Sequence, residues 1–116
     1  MKVHNLYTDA NGESHFRDIE IEWVEQRRGS KLSKKFPATG VIFRETEAKH
    51  NIDWHPAPRR QFVIILSGQL EIGLGDGSKH VFGPGDARLV EDTTGKGHTT
   101  RVLGDQICVT ATVPLA

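Results

Sequence analysis

Residues 61–86, QFVIILSGQLEIGLGDGSKHVFGPGD, constrain the fold more than any other part of the chain. Gly68, the GDG at 75–77 and the GPGD at 83–86 cut the apolar pattern into runs too short for a stable helix. FVIIL, 62–66, is apolar on both faces, as in a strand packed on both sides. In the next run Leu70, Ile72 and Leu74 fall on one face, and the GDG after it reads as a hairpin turn. Short strands joined by tight turns satisfy this pattern.

The remaining sequence follows the same pattern. FRDIEIEWV, 16–24, alternates, with Ile19, Ile21 and Trp23 on one face and Glu20 and Glu22 on the other. VIFRE (41–45), ARLVE (87–91), HTTRVL (98–103) and QICVTATV (106–113) are further strand candidates. In the last, Ile107, Val109, Ala111 and Val113 share a face. QRRGSKLSKKFPATG, 26–40, is basic, polar and turn-rich and reads as a solvated loop. No helix signal, repeat or linker interrupts the series. About eight to ten short strands with Gly-rich turns predict an all-β sandwich or barrel. A jelly roll suits a chain of 116 residues. An immunoglobulin-type sandwich is the rival, but its usual Cys, Trp, Cys core is absent, Cys108 being the only cysteine. The length fits one domain, 1–116, able to bury about two-thirds of its unfolded surface without a disulfide or metal.

Charge narrows the partners. Fifteen Lys and Arg balance 15 Asp and Glu, which argues against nucleic acid and anionic membrane surfaces. The N-terminal MKVHNLYTDANGESHF lacks the apolar core of a secretion signal, and no apolar run approaches the ~20 residues of a membrane span. The expectation is a soluble cytoplasmic protein that takes a small-molecule ligand.

Two stretches carry chemistry, HPAPRRQFVIILSG (55–68) and GDARLVEDTTGKGHTTRV (85–102). The TGKG at 94–97 has the appearance of a phosphate-binding loop. A Walker A loop, however, needs glycine where Val90 stands, Ser or Thr where Gly97 stands, and a helix afterwards. Over about residues 40–113 the chain instead resembles the small single-domain cupins. Their first motif is matched by His55 and Gly68, with Ala57 in place of the second His, Gln61 in place of Glu and Lys49 in place of the opening Gly. Their other motif is matched by Gly85, Gly95 and His98, with Thr93 in place of Pro and Val102 in place of Asn. The segment from Gly85 to Thr93 is two residues longer than the motif.

The resemblance implies a cupin-type double-stranded β-helix, that is, a jelly-roll barrel. It also implies a site in the barrel mouth. Metal-bearing cupins place three His and one Glu around Fe, Mn, Ni or Zn; His55, Gln61 and His98 stand at matching positions here. If the face shared by Ala87, Leu89 and Glu91 points inward, Glu91 would complete a 2-His-1-carboxylate set. Small cupins are commonly dimers, and strand 62–66 would suit a dimer face. No cofactor follows with certainty, and no catalytic residue is assigned, because no activated nucleophile is evident.

Strand parity puts His55, Ala57, Arg59, Gln61, Val63 and Ile65 on one side and Arg60 on the other. An inward Arg59 beside Gln61, His55 and His98 would suit a carboxylate, phosphate or sugar acid. Thr93 and Lys96 are expected to close the mouth and touch that ligand. The plainer readings are ion pairs for Arg59 and Arg60, core packing for Trp54, a buried inert thiol for Cys108, and surface positions for His4, His15, His50 and His80. Three functions stay open. The protein is a binder of a polar or anionic metabolite, a metal-dependent oxygenase or isomerase using His55, His98 and a carboxylate, or a dimeric interaction protein with a vestigial pocket.

Overall fold

The computed structural model describes residues 1–116, and every regular element is a strand. No helix is long and apolar enough to cross a membrane. β1 (Lys2–Thr8), β2 (Ser14–Glu20), β5 (Ile42–Thr46), β7 (Gln61–Ser67), β10 (Ala87–Val90) and β12 (Cys108–Pro114) form one sheet, ordered β2-β1-β10-β7-β12-β5. β6 (Asn51–His55), β8 (Gln69–Gly73), β9 (Lys79–Phe82) and β11 (His98–Leu103) form the other, ordered β6-β11-β8-β9. β3 (Trp23–Arg27) and β4 (Ser30–Ser33) make a separate hairpin. Only β1 and β10 pair in parallel; all other pairings are antiparallel.

The core lies between the two sheets. Leu6, Val63 and Ile65 from the larger sheet meet Leu70, Ile72 and Val102 from the smaller. The period of two on β8 holds: Leu70, Ile72 and the following Leu74 are all buried. Gly68 is the single residue between β7 and β8, so the chain changes sheets there. Its φ is +81°, which a side chain strains to adopt. An added Cβ would lie 2.6 Å from the Ile107 carbonyl oxygen and 2.9 Å from the Cys108 Cα. The corner therefore closes only because no side chain is present.

Four expectations need correction. The run 16–24 is not one strand; it breaks after Glu20, and Trp23 starts a hairpin with Ser33 opposite. That hairpin occupies part of the stretch expected to be a loop. Its local Arg-Gly-Ser turn closes a strand pair that its exposed, basic composition disguised. β1 and β6 were not evident, because each interleaves polar residues with few apolar ones. Finally, β12 presents Cys108, Thr110 and Thr112 to the interior, not the apolar set Ile107, Val109, Ala111 and Val113. Of the apolar set, Ile107 precedes the strand and is exposed, Val109 and Val113 are half-buried, and Ala111 is buried without joining the core cluster.

Because Gly68 combines a positive φ with no room for a Cβ, Gly68→Ala should destabilise the fold by about 2–4 kcal/mol. Equilibrium urea unfolding would read this as a lower midpoint with an unchanged slope; a midpoint like the wild type's would contradict this role for the corner.

Candidate functional site

Two connections cross from one sheet to the other at the same end of the sandwich. Residues 56–60 link β6 to β7, and residues 91–97 link β10 to β11. This brings His55, at the end of β6, opposite His98, at the start of β11, as antiparallel partners. Their ring centroids are 4.6 Å apart. The approach depends on Gly97, whose φ is +78° and whose missing Cβ would overlap the His55 carbonyl.

Both rings are held from behind. His98 is buried, and its Nδ1 donates to Asp92 Oδ2 at 2.6 Å. The same carboxylate oxygen accepts from Ser14 Oγ at 2.7 Å. Asp92 has no solvent exposure, and its backbone oxygen accepts from the Ala57 amide at 2.9 Å. His55 Nδ1 donates to the Asp53 carbonyl at 2.7 Å. In each ring Nε2 is thus the nitrogen left free, an acceptor when the ring is neutral and a donor when it is protonated.

His55 and His98 open onto a cavity of about 530 Å³ between the sheets. Its 18 lining residues include Arg44, Arg59, Arg88 and Gln61, together with four threonines, and no Asp or Glu. This composition sets the electrostatics: three guanidinium groups and no carboxylate face one space. Ala57, in place of the second motif histidine, is buried on the cavity wall. Gln61 is also buried, and its Oε1 accepts from Arg59 Nη1 at 3.1 Å.

Arg88 was not singled out from sequence, because parity on β10 was read the wrong way round. Val90 pairs with Leu6 in the core, so Arg88 and Val90 are the inward residues and Leu89 faces out. By hydrophobicity alone, Leu89 is the natural inward residue. Arg88 is 4% exposed and lies 5.2 Å from the Phe82 ring centroid. Its Nε has no hydrogen-bond partner, and no ion pair includes it. Burial pushes its guanidinium down to about 10, and the nearby Cys108, Asp92 and Asp86 offset part of that effect. It is still a cation at neutral pH.

The same parity removes Glu91 from the site. Its carboxylate accepts from Asn5 Nδ2 at 2.8 Å and from Arg60 Nε at 2.6 Å, away from the histidines. Arg60 therefore forms the ion pair considered for it. The 91–97 connection does not reach into the cavity. Lys96 donates its amide to the Gly12 carbonyl, and its ammonium sits 4.1 Å from the Trp54 ring centroid. Thr93 is exposed, and neither Thr93 nor Lys96 lines the cavity. Trp54 is 40% exposed under that lysine and is not a core residue.

The donor set does not suit a resident divalent metal. No three His, Cys, Asp or Glu side chains are grouped to hold one. The two imidazoles are oriented as metal-ligating histidines usually are. Yet Gln61 is neutral and engaged with Arg59, Glu91 is committed elsewhere, and three arginines oppose a dication.

Among solved structures, the cupin domain of Schizosaccharomyces pombe Cnp3 aligns over 99% of this chain and 88% of its own, at 14% identity and a TM-score of 0.51. An RmlC-like cupin protein from Desulfovibrio desulfuricans aligns over 97% and 81%, at 12% identity and a TM-score of 0.47. A Neisseria meningitidis protein aligns over 84% of both chains, at 14% identity and a TM-score of 0.47. No protein-family model matches the sequence. No curated protein matches it either. The two-sheet jelly roll, with both motif histidines meeting at one end, makes this chain a small protein of the cupin fold.

Proposed function

We propose that the cavity binds a small organic anion, with Arg88 as its anchor and without a resident metal. Arg88 carries this reading. A buried charge with no partner costs several kcal/mol, and a protein that keeps one gains by pairing it. A carboxylate or phosphate entering the cavity would form charge-assisted, bidentate hydrogen bonds with the guanidinium. The absence of acidic lining residues supports the same sign of ligand. Gln61 and the four threonines add neutral hydrogen-bonding groups, and His55 and His98 add ring nitrogens that can donate or accept. The volume of about 530 Å³ falls in the usual range for small-molecule sites.

The test is thermal and denaturant unfolding of wild type and Arg88→Met with acetate, glutarate, inorganic phosphate and glucuronate. At about 100 times its Kd, a bound anion should add about 2.7 kcal/mol to wild-type stability. Arg88→Met should show no anion response. Without ligand, that variant should be at least as stable as wild type, since it removes a buried charge that has no hydrogen-bond partner. An anion response that survives in Arg88→Met would overturn the reading.

The oriented His55–His98 pair favours a second reading, a metal-dependent enzyme. Elemental analysis of untagged protein, purified without chelator, separates the two. Fe, Mn, Ni and Zn should all be substoichiometric in wild type. About one metal per chain, lost in His98→Ala, would instead establish a metal centre.

A further inference from the structure

Resting on the anion reading above, we infer that the ligand is a dianion whose two acidic groups are set several bonds apart. Sheet register relates the two arginines involved. Arg88 on β10 pairs with Val63 on β7, Val63 with Thr112 on β12, and Thr112 with Ile42 on β5. Arg44 lies two residues further along β5, so it faces the same side of the same sheet as Arg88. Three strand spacings and two residues put the two Cα atoms on the order of 15 Å apart, with the cavity between them.

The two arginines differ in a useful way. Arg88 is buried deep in the wall, while Arg44 is exposed at the rim. Arg44 enters no ion pair. Glu45 and Glu47 line an adjoining groove that shares Arg44, Thr46 and Ile52 with the cavity, but neither carboxylate forms an ion pair with Arg44 or lines the cavity itself. A single carboxylate on Arg88 would leave the rim cation uncompensated. A second acidic group, carried outward on a short chain, would meet Arg44. Thr110 and Thr112 lie on β12 between the two cations and would flank that chain with hydroxyl groups. A deep anchor and a rim cation on one face thus select for charge number and for length, where either arginine alone would select only for sign.

Glutarate and valerate test this, because they share a five-carbon chain and differ by one carboxylate. Calorimetric titration of wild type should show glutarate binding at least about tenfold more tightly than valerate. Arg44→Met, a substitution on an exposed position, should bring the ratio to about one by lowering glutarate affinity far more than valerate affinity. Arg88→Met should lose both ligands. Equal affinities in wild type, or a preference for glutarate that survives in Arg44→Met, would overturn the dianion inference and leave the anion reading standing. If neither ligand binds wild type and no other anion stabilises it, both fall together.

Discussion

The buried carboxylate of Asp92 is the interaction on which the site depends. Its Oδ2 holds Ser14 from the start of β2 and His98 from the start of β11, and its backbone oxygen holds Ala57 in the other crossing connection. Three segments far apart in sequence are thereby fixed at one end of the sandwich. Such a group is costly to bury and cheap to keep only while its partners stay in place; losing one partner of a buried pair typically costs about 3–5 kcal/mol. The position of His98 is therefore set by the packing of the N-terminal strands as much as by its own strand. The same connection is clamped again where Lys96 donates to Gly12 in the β1–β2 turn. The conspicuous glycines of that loop serve close backbone approach, to Gly12 at Gly95 and to His55 at Gly97.

A wall built for stability alone would be composed differently. β12 turns Thr110 and Thr112 toward the cavity and leaves Val109 and Val113 half-exposed, and β10 buries an unpaired arginine beside Phe82. Each choice gives up hydrophobic burial that the same strand could supply with the opposite parity. The core proper avoids this conflict, because Leu6, Ile65, Ile72 and Val102 close it on the other side. One sandwich thus contains an apolar half and a polar, cationic half, and the two meet along β7, where Val63 lines the cavity and Ile65 does not.

Much of this was legible in the sequence, and what was lost has a common cause. The all-β class, the break at Gly68 and the buried face of β8 follow from periods and glycines that act locally, while the meeting of His55 with His98 was implied by the resemblance to the cupin motifs. The inward set from Ala57 to Val63 was also read with the correct parity. Arg88 and the threonines of β12 were missed because parity is normally assigned by placing apolar residues inside, and these two strands break that rule at the cavity. Glu91 failed for the same reason, being one residue out of phase. Asp92 gave a different difficulty. Nothing local distinguishes a loop carboxylate that will be buried from one that will stay wet; its partners Ser14 and His98 lie 78 and 6 residues away. Lys96 has the reach to stand over the pocket, yet the adjacent strand offers Trp54 as a closer cation–π partner.

The departures from the cupin motifs form one coherent change in charge. Ala57 removes an imidazole, Gln61 removes a carboxylate, and Arg59 then uses the amide oxygen of Gln61 as its hydrogen-bond acceptor. Each substitution makes the space less hospitable to a cation, and Arg88 makes it hospitable to an anion. Had only one ligand position changed, the remaining histidines and a carboxylate could still have attracted a divalent ion. With a neutral residue at position 61 and three guanidinium groups lining the wall, the cavity's own side chains give it a positive field. The two histidines keep their geometry through Asp92 and Asp53 while their free nitrogens face a cavity lined by three guanidinium groups and no carboxylate.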